Sequence, residues 1–85
     1  MNKVLIKLYV PMLGNVYDVF IPVNEIIWKI NKLVVKSVSD LSEGALLANK
    51  DYALINTETG CLYKDNEIII NTDIRNSTKI ALIEK

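Results

Sequence analysis

Few side chains in this sequence could do chemistry, and their spacing argues against catalysis. There is no histidine among the 85 residues, so the commonest general base is missing. Cys61 is the only cysteine. With no imidazole to deprotonate it, its thiol reads as a small half-buried residue beside a turn rather than a nucleophile. A single cysteine also forms no internal disulfide, which fits a reducing compartment. Asp65, Glu67 and Asp73 bring carboxylates close in sequence. A calcium loop needs a glycine at its sharp turn and a closing bidentate acid, and this stretch has neither, so it reads as solvated turn residues. The three glycines, Gly14, Gly44 and Gly60, stand alone and build no phosphate-cradling loop. No enzyme activity, cofactor or metal is expected.

Composition narrows the classes further. Ten basic residues balance ten acidic ones. A neutral chain has no electrostatic footprint for a phosphate backbone, so nucleic acid is not an expected partner. The hydrophobic fraction of 51 % is that of a globular domain. No apolar run approaches the ~20 residues that cross a bilayer, and Lys7 interrupts the first one. Residues 1–85 read as one cytoplasmic domain without linkers or repeats, with no direct membrane insertion. A chain of this size buries roughly 60–65 % of its unfolded surface, enough for one core and little cavity.

What remains is surface, and the elements that position it follow from periodicity. Residues 3–10 alternate, with Val4, Ile6, Leu8 and Val10 on one face and Leu5, Lys7 and Tyr9 on the other. Pro11 ends this strand. A turn at Gly14-Asn15 leads into a second strand over 16–21, making an antiparallel hairpin. After Pro22 the period changes. Asn24 is the expected N-cap, with Glu25 against the positive helix end. Ile26, Ile27, Ile30, Leu33, Val34, Ser37, Val38 and Leu41 then gather on one side of a helix that should end near Ser39-Asp40. Residues 41–51 read as irregular. Residues 52–56 read as a strand, 57–60 as a turn, Leu62-Tyr63 as a very short strand and 79–83 as the last strand. The helix needs a sheet to pack on. The first and last strands, both strongly apolar, should pair in parallel at its centre.

This order resembles that of the β-grasp, or ubiquitin-like, fold. Gly60-Cys61-Leu62-Tyr63-Lys64-Asp65 is similar to the turn and small fourth strand of such domains. The run from Asp73 to Ile83 is similar to their final turn and strand, with Ile74 as the buried turn residue. The hairpin ending Tyr17-Asp18-Val19-Phe20-Ile21-Pro22, followed by the helix, resembles the YukD/EsaB group. These are small ubiquitin-like proteins of Gram-positive bacteria associated with type VII secretion loci. The resemblance implies an α+β β-grasp domain, with one main helix on a mixed sheet of four or five strands. It also implies a non-catalytic accessory or regulator that binds another protein, such as a secretion-system component.

One departure bears on mechanism. Ubiquitin-type modifiers and sulfur carriers end in a flexible Gly-Gly tail, because only glycine lets the backbone thread into an activating enzyme. Here Glu84-Lys85 follow the last strand. Activation at the C-terminus is therefore the disfavoured alternative, and self-association into a homo-oligomer is a third reading.

Two candidate surfaces emerge. The first is the sheet face turned away from the helix. Leu5, Tyr9, Ile55 and Ile83 should form an apolar patch there, with Lys7 and Lys79 at its edge; this is the face by which ubiquitin-like domains usually bind partners. The second is the outward stripe of the helix, carrying Trp28 and Val35, since tryptophan is enriched at interaction hot spots. A structural reading competes for Trp28. Val23 and Trp28 have the spacing of a hydrophobic staple, and the loop 44–49 could also cover the indole.

Overall fold

The computed structural model describes residues 2–85. Its elements are β1 (Lys3–Val10), β2 (Asn15–Pro22), α1 (Ile27–Leu41), β3 (Tyr52–Asn56), a one-turn 3-10 segment (Ile69–Asn71) and β4 (Thr78–Glu84). Four strands make one sheet in the order β2-β1-β4-β3. β1 pairs antiparallel with β2 and parallel with β4, so the first and last strands sit side by side at the centre as expected. β3 closes the other edge, antiparallel to β4. The very short strand expected at Leu62-Tyr63 is a single bridge from Leu62 to Ile55, and the sheet has the lower of the two expected strand numbers, four.

α1 covers one face. Ile6, Leu8 and Val10 from β1, Ile80 and Leu82 from β4, Leu54 from β3 and Ile21 from β2 meet Ile27, Ile30, Val34 and Val38 from the helix in a single core. Ile74 is buried in the turn before β4, as its position implies.

The helix begins later than its sequence suggests. Asn24 does not cap it; Ile26 is the N-cap, and no side chain among the described residues caps the end. Instead, the amide of Ile27 donates to the Glu67 carbonyl at 2.8 Å and that of Trp28 to the Asp65 carbonyl at 3.2 Å. Free N–H groups of a first helical turn need acceptors, and here a segment forty residues downstream supplies two. Ile69 and Ile70 lock that segment in return, donating to the Glu25 and Val23 carbonyls at 3.0 and 2.8 Å.

At its other end the helix runs one residue past Asp40, to Leu41. Glu43 and Gly44 then take positive φ values of 55° and 84°, and the Gly44 amide returns to the Ser39 carbonyl at 2.8 Å. This reversal sends the irregular segment back along the helix, with Leu46 fully buried beneath it. Leu33 and Leu41, expected in the core, are 45 % and 66 % exposed. Packing uses a narrower stripe than the helical wheel offered.

Candidate protein-binding face

The register of the sheet assembles the outer face residue by residue. Paired residues project to the same side, so the partners of Tyr9 share its face. Tyr9 lies opposite Val16 on β2 and Ala81 on β4. Ala81 lies opposite Ile55, and Ile55 opposite Leu62. Val16, Tyr9, Ala81, Ile55 and Leu62 therefore form one apolar row across the whole sheet. Val16 and Leu62 at its ends are 60 % and 56 % exposed and Tyr9 41 %, while Ala81 is nearly covered by its neighbours. Ile83, opposite Ala53, widens the row on one side.

A charged row lies on the other side, two residues along each strand. Lys7 is opposite Asp18 and Lys79, and its ammonium meets Asp18 Oδ1 at 2.9 Å. Leu5 lies beyond that row, beside Phe20 on β2. The expected patch is thus divided. Tyr9, Ile55 and Ile83 are together, whereas Leu5 is set apart by Lys7 and Lys79, which cross the face instead of rimming it. A hollow of about 390 Å³ lies where the two rows meet, lined by Lys7, Tyr9, Val16, Thr57 and Lys79.

The two helical candidates part company. Val35 is 5 % exposed and belongs to the core, so its assignment to an outward binding stripe is wrong. A wheel centred on the helix alone cannot show that the chain after Gly44 folds back over this flank. Trp28 is 41 % exposed. Because the helix starts two residues late, Val23 is not at the staple position, and the loop 44–49 does not line the space beside the indole. Asp51, Tyr52, Asp65 and Lys85 do. Lys29 and Lys32 hold their ammonium groups 5.7 and 5.3 Å from the ring centroid, within cation–π range.

The candidate chemical groups serve structure. Cys61 is exposed, not half-buried. Asp65, Glu67 and Asp73 do not converge, and no cluster of three acidic or thiol groups occurs among the described residues. Glu67 accepts the Lys64 amide at 2.9 Å, and Asp73 accepts the Tyr63 hydroxyl at 2.6 Å. Tyr63 is buried, and burial pushes its phenol well above the usual value, with the Asp73 carboxylate adding to the shift. Asn56, the one buried polar side chain among the described residues, donates to that hydroxyl at 3.0 Å. Its Oδ1 also accepts the amides of Glu58 and Thr59.

No protein-family model and no curated protein matches the chain. Solved structures do. The ubiquitin-like domain of EccD5 from Mycobacterium xenopi is 11 % identical, with a TM-score of 0.80 over all of this chain and 97 % of that one. The ubiquitin-like domain of the Mycobacterium tuberculosis type VII secretion system protein EccD1 is 12 % identical, with a TM-score of 0.75 over 98 % and 99 %. A chain of the toluene 4-monooxygenase HD complex is 9 % identical, with a TM-score of 0.76 over 99 % and 100 %. The fold is the ubiquitin-like β-grasp. Identities this low show the fold alone. No helix among the described residues is long and apolar enough to cross a membrane.

Val16, Phe20 and Leu62 were absent from the sequence-derived surface. Val16 and Phe20 alternate with residues of the inner face, a signal present in the sequence. Leu62 joins the row only through its bridge to Ile55.

Proposed function

We propose that this β-grasp domain is a non-catalytic binding module, acting in the cytoplasm as an accessory or regulatory component of a type VII-like secretion system. Its partner is another protein, held on the outer face of the sheet. The observation that carries this reading is the apolar row from Val16 to Leu62 with the lysine row beside it. A row of apolar residues crossing all four strands is a surface that gains by being covered. Lys7 and Lys79 next to it favour a partner with a carboxylate at the margin of its contact. The likeness to the EccD1 and EccD5 domains supports the secretion context, and Tyr9, Ile55, Ile83, Lys7 and Lys79 are the residues assigned to the contact. Leu5 contributes from the far side of the lysine row.

The test is a cell lacking the gene, complemented with wild type or with Tyr9→Asp, and assayed for type VII substrates in the culture medium. Wild type should restore export and Tyr9→Asp should not, with equal amounts of folded protein in both. Full export with Tyr9→Asp, or in the cell lacking the gene, would refute the proposal.

A further inference from the structure

β2 forms one edge of the sheet and, among the described residues, pairs only with β1. Its register fixes which backbone groups are open. The Val23 amide donates to the Asn2 carbonyl at 3.1 Å, extending the ladder in phase. Hydrogen-bonded pairs therefore fall at Ile21, Val19, Tyr17 and Asn15. Between them Val16, Asp18 and Phe20 turn both N–H and C=O to the open side, and Pro22 turns its carbonyl. This leaves three donors and four acceptors along about 20 Å of strand.

Natural edges are commonly blunted by bulges, charges, proline or a covering segment. The β1–β2 register runs without a bulge from Lys3↔Pro22 to Val10↔Asn15, and proline stands only at the last position. Both flanks of the edge are apolar. Val16 and Phe20, 60 % and 65 % exposed, stand on the outer face. Tyr17 and Val19 stand half-buried on the inner face. Leu33, 45 % exposed, lies on the helix flank opposite Asn31, the flank turned toward β2. Such an edge suits an added strand whose side chains find apolar contacts on both faces.

The charge at its centre selects the occupant. Asp18 is the only charged residue of β2, and its side chain is 58 % exposed. Lys7 engages Oδ1, and no hydrogen bond among the described residues engages Oδ2. A second copy pairing about a two-fold axis matches Val16 with Phe20 only by placing Asp18 opposite Asp18. Shifting that axis by one residue sets the carboxylate against Val16 or Phe20. We propose that the β2 edge takes an extended segment of a partner protein as a fifth strand, with a lysine or arginine opposite Asp18 and apolar residues two positions to either side.

The probe is a capped peptide with the core Ile-Thr-Lys-Thr-Ile, titrated into ¹⁵N-labelled protein. Shifts should concentrate at Val16, Asp18 and Phe20, whose amides should also exchange more slowly with solvent. Replacing the peptide's lysine by glutamate should weaken binding at least tenfold. Asp18→Lys in the protein should reverse the preference, so that the glutamate peptide binds better. Asp18→Asn serves as a second variant and should lose the preference for the lysine peptide. No shifts up to ~1 mM peptide, a range where weak recognition is still visible, would overturn the proposal. So would shifts centred on Ile55 and Leu62, or affinities indifferent to the charge exchange. A molar mass rising toward twice 9.6 kDa with concentration, with β2 amides protected in the absence of peptide, would make the occupant a second copy and refute it equally.

Discussion

Tyr63 donates its hydroxyl proton to Asp73 across a 2.6 Å hydrogen bond, and the same hydroxyl accepts from Asn56. This contact ties three parts of the chain together: the end of β3, the strand-like bridge after it and the turn leading to β4. The outer apolar row depends on it, since Leu62 and Ile55 are held in register by the residues that flank them. Asn56→Ala would leave the Tyr63 hydroxyl one donor short and uncap two turn amides. We expect a loss of about 2–3 kcal/mol in urea unfolding, against about 1–2 kcal/mol for Tyr63→Phe.

The same pair predicts an alkaline limb to stability. The Tyr63 phenol titrates above its ordinary value of 10 in the folded protein, because burial and Asp73 disfavour the phenolate. In the unfolded chain it ionises near pH 10. Its contribution is therefore complete below that pH and is lost as pH rises beyond it, at up to about 1.4 kcal/mol per pH unit. Unfolding followed between pH 9 and 11 should show this slope in wild type and a shallower one in Tyr63→Phe.

The correction at Val35 gives a contrast between two positions that a helical wheel ranks the other way. Val35→Asp buries an unpaired carboxylate and should cost about 3 kcal/mol or more. Leu33→Asp, on the wetted flank, should cost about 1 kcal/mol or less. Thermal melts of the two variants measure the difference.

Gly60 closes the turn after β3 at φ 73°, its amide returning to the Asn56 carbonyl at 2.8 Å. Among the described residues nothing lies within 4 Å of where a Cβ would stand, so backbone strain is what opposes a side chain. Gly60→Ala should lower stability by about 1–2 kcal/mol without shifting core resonances in a two-dimensional NMR spectrum.

The elements that alternate cleanly were legible in the sequence. Val4 to Val10, the hairpin, the parallel pairing of first and last strands and the burial of Ile74 all follow from period-two apolar spacing or from the β-grasp resemblance built on it. The misses share a physical cause, which is contact between segments distant in sequence. Asn24 lost the cap because the carbonyls of Glu67 and Asp65 satisfy the helix instead. Val35 is core on the helix flank that the segment after Gly44 returns along, where Ala48 lines a hollow with it. Ile68, Ile69 and Ile70 show no period that marks a one-turn 3-10 segment, and one of the three is buried while its neighbours are exposed. On the outer sheet face, the clustering of Tyr9, Ile55 and Ile83 follows from strand parity alone. Strand parity does not say which residue lies opposite which. The separation of Leu5 by the Lys7–Lys79 row, and the entry of Val16 and Leu62, are consequences of register.

The outer sheet face is tested most directly by capture of a partner from the native cell lysate by wild type, Ile55→Glu and the control Lys36→Glu, with circular dichroism recorded for each. Ile55→Glu puts a carboxylate in the middle of the apolar row and leaves the core side of β3 untouched. One specific protein should be retained by wild type and by Lys36→Glu and lost with Ile55→Glu, all three spectra coinciding. Equal recovery of that protein by wild type and Ile55→Glu would contradict the claim that the outer sheet face is the binding surface.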